Sequence, residues 1–81
     1  MVIKVIGTGC EDCTRLYQNV QQAVTMTGID ADIEKVEDLM DIVRMGVMSA
    51  PSMMIDGKLV VSGHVPNVKT LAGIIEANIR P

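Results

Sequence analysis

Two cysteines stand three positions apart in Cys10-Glu11-Asp12-Cys13, and they are the only cysteines in a chain of 81 residues. A thiol pair at this spacing has two chemical uses. One thiolate can attack a disulfide while the other resolves the mixed disulfide that forms, or the two together can hold a thiophilic metal ion. The first use needs one sulfur ionised near neutral pH. An unperturbed cysteine with a pKa near 8.5 is only about 3% thiolate at pH 7, and a shift to about 7 makes it half ionised for roughly 2 kcal/mol. The unpaired N–H groups and the dipole at a helix N-terminus favour a thiolate at the first sulfur of such a pair. On this reading Cys10 is the nucleophile and Cys13, one turn inward, is the resolving thiol.

The neighbours of the pair modify this picture. Acids suit a first helical turn, yet the charges of Glu11 and Asp12 disfavour a thiolate beside them, so Cys10 is expected to be less acidic than the nucleophile of a strongly oxidising dithiol. Thr8-x-x-Glu11 matches a capping box. Lys4 reads as a strand lysine reaching for water rather than for a sulfur. His64, the only imidazole, reads as a solvated loop residue. A four-ligand zinc site built from Cys10, Cys13 and His64 would need Asp12 or a second chain to complete it. Met40, Met45, Met48, Met53 and Met54 are expected to fill core space rather than to ligate copper.

Something must place the thiol pair at the start of a helix, and the hydropathy pattern supplies it. Residues 1–6 form a β-branched run ending at Gly7 and Gly9, which reads as a buried strand. From Cys13 onward, Leu16, Val20, Ala23 and Val24 make one apolar helix stripe that closes near Gly28. The cysteines thus sit at a strand-to-helix junction. Residues 29–36 alternate apolar and acidic side chains, the period of a half-exposed strand at or near a sheet edge. Asp38 can cap a short helix with Leu39, Ile42 and Val43 turned inward and Gly46 as its left-handed stop. Residues 53–55 and 59–61 flank Asp56-Gly57, a strong antiparallel hairpin signal. Asn67 can cap a closing helix whose apolar face is Val68, Leu71, Ile74, Ile75 and Ile79. The order is β-α-β-α-β-β-α.

Composition bounds the rest. A chain of 81 residues with 48% apolar and 21% charged side chains reads as one globular domain over residues 1–81, with no repeat, linker or low-complexity tract. One Tyr, no Phe and no Trp leave a core of aliphatic residues and Met. A net charge of −3, with scattered basic residues, argues against tracking a phosphate backbone. No apolar run approaches the roughly 20 residues that span a bilayer, and the N-terminus lacks a signal-peptide pattern, so a cytoplasmic chain is expected. In that reducing setting two cysteines are better read as catalytic or metal-binding than as a structural bridge. Dithiol chemistry calls for no bound cofactor.

Four stretches together resemble a known group: Gly7-Thr8-Gly9-Cys10-x-x-Cys13, Gly46-Val47-Met48-Ser49-Ala50-Pro51, Ile55-Asp56-Gly57-Lys58 and Val61-Ser62-Gly63-His64-Val65-Pro66. Over nearly its whole length the chain resembles the short thioredoxin-like redox-active disulfide proteins of archaea and bacteria. The resemblance implies an α/β fold of three layers, α/β/α, around a four-stranded mixed sheet. It also implies a cis peptide bond before Pro51, beside the cysteine pair. A cis X-Pro bond costs only about 0.5–1 kcal/mol, and a bend there would offer the Ala50 backbone to an extended substrate segment in the manner of an added strand. Further implied are exchange of electrons with protein disulfides, substrate contacts at Ala50, Pro51 and Gly63, an electron donor resembling thioredoxin reductase, and a monomeric state.

The chain also departs from that pattern. The broader fold family commonly has Pro or Gly between the cysteines and a Trp before them, where this sequence has Glu11-Asp12 and Gly9. Larger members carry an acid six positions before the first cysteine, where Lys4 stands here. Gly63 aside, no glutathione-binding pattern stands out. Residues 3–36 also resemble a heavy-metal-associated domain. That family passes from its second strand by a hairpin into a third, whereas residues 38–45 read here as a helix, and its Met two positions before the first cysteine is Thr8. Soft-metal or arsenite binding through Cys10 and Cys13 is the second reading.

Overall fold

The computed structural model describes residues 1–7 and 11–79. The readings placed on Thr8 and Cys10 lie outside the described residues. Seven elements follow in the expected order: β1 (Val2–Ile6), α1 (Glu11–Thr27), β2 (Asp32–Val36), α2 (Leu39–Arg44), β3 (Ser52–Ile55), β4 (Lys58–Ser62) and α3 (Val68–Ala77). The strands form one mixed sheet in the order β2-β1-β3-β4. β1 and β2 are parallel, while β1 with β3 and β3 with β4 are antiparallel. β2 is therefore an edge strand, as its alternating acids suggested.

Local chemistry accounts for most boundaries. Gly28 closes α1 at φ +70°, its N–H bonding back to the Val24 carbonyl at 3.1 Å. Asp38 caps α2 by accepting from the Met40 N–H at 2.8 Å, and Asn67 caps α3 by accepting from the Thr70 N–H at 2.8 Å. Asp56 and Gly57 take φ of +48° and +84°, the paired left-handed conformation that a two-residue hairpin turn requires. Asp56 also ties the turn to the first strand, because its carboxylate accepts from the Val2 N–H at 2.8 Å.

The core lies on one face of the sheet. Ile3 and Val5 of β1, Met53 and Ile55 of β3 and Val61 of β4 meet Leu16, Val20 and Ala23 of α1 and Leu71, Ala72 and Ile75 of α3. Each large side chain fully buried here contributes about 1.5–3 kcal/mol, so α1 and α3 are held firmly. The opposite face carries Lys4, Ile6, Ser52 and Met54, paired across β1 and β3. Ile6 and Ser52 are fully buried there.

Three expectations need correction. Leu39 and Val43 do not face inward, for α2 buries no residue, and they are 66% and 64% exposed. At 3.6 residues per turn the apolar residues of 39–45 wrap more than half the helix circumference, and the half-buried edge is the one carrying Ile42 and Met45. Spacing alone does not choose between adjoining apolar edges of so short a helix. The methionines divide as well: Met53 fills core, Met45 and Met54 are half-buried, and Met40 and Met48 are exposed. Ile79, read as part of the α3 stripe, falls beyond the helix and is exposed.

Candidate active site at Cys13 and the Ala50–Pro51 bend

The site is assembled at the end of the sheet where β1 and β2 finish and β3 begins. Gly7 follows β1, is buried, and donates its N–H to the Val36 carbonyl at 3.0 Å. The backbone there is pinned between two parallel strands. Cys13 lies on the inner stripe of α1 with Leu16 and Val20 and is only 3% exposed. A Cβ added to Gly7 would overlap the Cys13 Sγ and stand 3.2 Å from the Cys13 Cβ and 3.8 Å from the Ala50 Cβ. The Cys13 sulfur therefore packs against the Gly7 backbone, with Ala50 at the same spot. A side chain at position 7 would fill the space that brings them together.

The Ala50–Pro51 peptide bond is cis, as the resemblance implied. Ala50 is exposed and Pro51 buried. Two hydrogen bonds fix the bend. The Ser52 hydroxyl donates to the Ser49 carbonyl at 2.6 Å, and the Gly63 N–H donates to the Pro51 carbonyl at 2.8 Å. Ser52 has no exposure at all, and its hydroxyl is satisfied through that bond. Gly63 lies in the left-handed region at φ +75°, and a Cβ there would approach the Ser49 Cβ to 3.4 Å. It thus belongs to the bend that holds Pro51.

Charged side chains open α1. Glu11 and Asp12 are exposed in the first turn of α1, and the Arg15 guanidinium stands 3.5 Å from the Asp12 carboxylate. Lys4 shares the sheet face of Glu34 and Met54 by register, opposite the face on which α1 packs. His64 is exposed, with Nδ1 3.1 Å from the Ser62 carbonyl. Cys10, read as the nucleophile, lies outside the described residues. Of the remaining predicted site residues, the structure brings Cys13, Ala50, Pro51 and Gly63 to one end of the sheet. Sequence reasoning missed Ser52, whose signal was a lone hydroxyl opening an apolar strand, and Arg15, whose signal was its i+3 spacing from Asp12. Among the described residues no cluster of three His, Cys, Asp or Glu side chains could hold a metal ion, and no helix is long and apolar enough to cross a membrane.

A profile of the thioredoxin-domain family matches residues 1–76. The chain belongs to this family. A thioredoxin of Methanothermobacter thermautotrophicus is 35% identical over 75 residues, which is 93% of this chain and 97% of the relative. A thioredoxin of Methanocaldococcus jannaschii is 39% identical over 71 residues, covering 88% and 81%. Among solved structures, thioredoxin-2, a component of the malaria parasite protein secretion machinery, superposes with a TM-score of 0.73 at 16% identity, covering 94% of this chain and 81% of that one. Another malarial protein gives 0.71 at 14% identity, covering 94% and 93%. These two establish the thioredoxin-like fold. The heavy-metal-associated topology is set aside by α2, which separates β2 from β3. Membership in the family carries thiol–disulfide exchange as the general chemistry.

Proposed function

We propose that this chain is a dithiol carrier that reduces disulfides of other proteins through Cys10 and Cys13. The observation that carries the reading is the packing of the Cys13 sulfur against Gly7 beside Ala50. A shielded sulfur beside the exposed Ala50 of the bend supports the arrival of a substrate chain there. In the first step the Cys10 thiolate attacks one sulfur of the substrate disulfide. That S–S bond breaks, a mixed disulfide forms, and one substrate thiolate leaves to take up a proton. In the second step the Cys13 thiolate attacks the Cys10 sulfur, closes the Cys10–Cys13 disulfide and releases the other substrate sulfur. Two electrons pass from the dithiol to the substrate. A dithiol reductase resembling thioredoxin reductase returns them.

Division of labour follows from burial. A cysteine that is 3% exposed is poorly placed for a bulky disulfide but well placed for an intramolecular attack. Ala50 and Pro51 hold the substrate backbone by adding it as a short strand, and Gly63 supports them through the Pro51 carbonyl. We further propose that residues 1–81 act as one domain, as a monomer, in the cytoplasm. Replacing Cys13 tests the reading: Cys13→Ser should accumulate mixed disulfides through Cys10, identified by mass spectrometry after acid quenching. Equilibration of the unaltered protein in glutathione and dithiothreitol buffers should show a reversible two-electron transition. Failure of both, with stoichiometric Cu(I) or arsenite uptake on the same sample, would transfer the assignment to metal binding.

A further inference from the structure

Among the described residues Ser52 is the one buried polar side chain, with no exposure at all in an otherwise apolar strand. The strand itself has no need of a hydroxyl there, since the partner across the ladder is Ile6, fully buried on the same face. A hydroxyl taken out of water is costly unless it is bonded, and this one donates to the Ser49 carbonyl at 2.6 Å. That carbonyl belongs to the same peptide group as the Ala50 N–H. The Ser49–Ala50 bond is trans, the cis bond being the one that follows it, so its C=O and N–H point in opposite directions in one rigid plane. The carbonyl is turned toward a side chain in the interior. The Ala50 N–H is thereby turned the other way, at a residue that is exposed. On the far side of Ala50 the Pro51 carbonyl is taken up by the Gly63 N–H at 2.8 Å. The carbonyls of both neighbours of Ala50 are thus committed inside the protein.

We propose that Ser52 is a positioning residue for substrate capture: from inside the fold its hydroxyl aims the Ala50 N–H outward, as a donor to a backbone carbonyl of the incoming disulfide-bearing segment. The inference rests on the disulfide chemistry proposed above and assigns to one side chain the direction of a backbone group that this chemistry uses. Without the hydroxyl the Ser49–Ala50 plane loses its inner anchor, and the donor is no longer held in the direction the substrate needs. Pre-setting a donor in this way spares the substrate the cost of ordering it. Hydroxyethyl disulfide has no peptide carbonyl to place against the Ala50 N–H. The preference for a peptide disulfide over that small one therefore reports the setting of this plane.

The test compares the unaltered protein with Ser52→Ala and Ser52→Thr, each pre-reduced, on a symmetric peptide disulfide and on hydroxyethyl disulfide. Ser52→Ala should raise the KM for the peptide about fivefold, the worth of one hydrogen bond, with kcat changed far less. Its preference for the peptide over hydroxyethyl disulfide should fall by the same factor. Ser52→Thr keeps the hydroxyl and should restore that preference. In the unaltered protein the Ala50 amide should exchange with water at close to the open-chain rate, and its resonance should shift when the reduced peptide is added. These amide measurements need no variant and decide the matter if a variant does not fold. A protein that reduces neither disulfide defeats the dithiol chemistry and the role of Ser52 with it. One that reduces hydroxyethyl disulfide, yet keeps its peptide preference in Ser52→Ala or protects the Ala50 amide from exchange, overturns the role of Ser52 alone. Equal losses in Ser52→Ala and a folded Ser52→Thr assign the effect to packing and also overturn it.

Discussion

Gly7→Ala probes the close packing on which the site depends. The substitution adds one methyl group to a buried backbone position, and that methyl would overlap the Cys13 Sγ and crowd the Cys13 Cβ at 3.2 Å. Neither neighbour moves freely. Cys13 is fixed by α1, whose Leu16 and Val20 are in the core, and Gly7 is fixed by its bond to Val36. Relief requires displacing the first turn of α1 or breaking that bond. Overpacking of this kind costs about 1–3 kcal/mol, and the rigidity of both neighbours puts Gly7→Ala in the upper half of that range. For a domain of this size, each kcal/mol lowers the melting temperature by roughly 4–8 °C, so a fall of about 10–20 °C is expected. Chemical denaturation followed by circular dichroism gives the free energy directly. Reduction of hydroxyethyl disulfide, assayed well below the melting range, should also slow, because Cys13 must occupy a different place to resolve the intermediate. A Gly7→Ala protein within about 0.5 kcal/mol of the parent, the spread of ordinary neutral substitutions, would refute the packing of Cys13 against this backbone.

Gly73 supplies the contrasting case: it lies inside α3, exposed, with nothing within 4 Å of an added Cβ. Gly73→Ala should stabilise by about 0.5–1 kcal/mol through helix propensity, measured by the same denaturation, and a loss of stability would show that α3 is not a regular helix there. Asn67→Ala removes the acceptor of the Thr70 N–H and should cost about 1 kcal/mol. Asn67→Asp, which keeps the acceptor, should cost little, and equal losses in the two variants would deny the cap.

Most of the architecture was legible because local signals and global pattern agree. The Asp56-Gly57 turn, the caps Asp38 and Asn67, the left-handed stops at Gly28 and Gly46 and the α1 stripe were each readable from residue type and spacing. Each states a backbone requirement that few residues meet. The orientation of α2 was not legible, since Leu39, Met40, Ile42, Val43 and Met45 leave the helix without a single apolar stripe. Periodicity does not decide that Ile42 and Met45 are the half-buried ones. At the site, the pairing of Cys13 with Ala50 and Pro51 came from the resemblance, because contacts between residues so far apart in sequence leave no local trace. The Ser52 hydroxyl bond and the Gly63 bond to Pro51 depend on the bend being formed. They are consequences of the fold that residue spacing does not announce.

Two acids sit at the centre of the motif, and their effects are not equal. Read from sequence, Glu11 and Asp12 both oppose a thiolate at Cys10, which would make the reduced dithiol less favoured and the proposed carrier a better reductant. Arg15 changes the balance, for its guanidinium lies 3.5 Å from the Asp12 carboxylate on the outer face of α1. The two side chains are 69% and 60% exposed, so the pair adds little to stability. Its effect on a nearby thiolate is a separate matter, because a paired carboxylate presents a weaker net field than an isolated one. Glu11 has no arginine three residues on, so of the two acids Asp12 is the one whose charge is partly offset. The proposed carrier should therefore be less strongly reducing than the motif alone suggests, with Arg15 setting the difference.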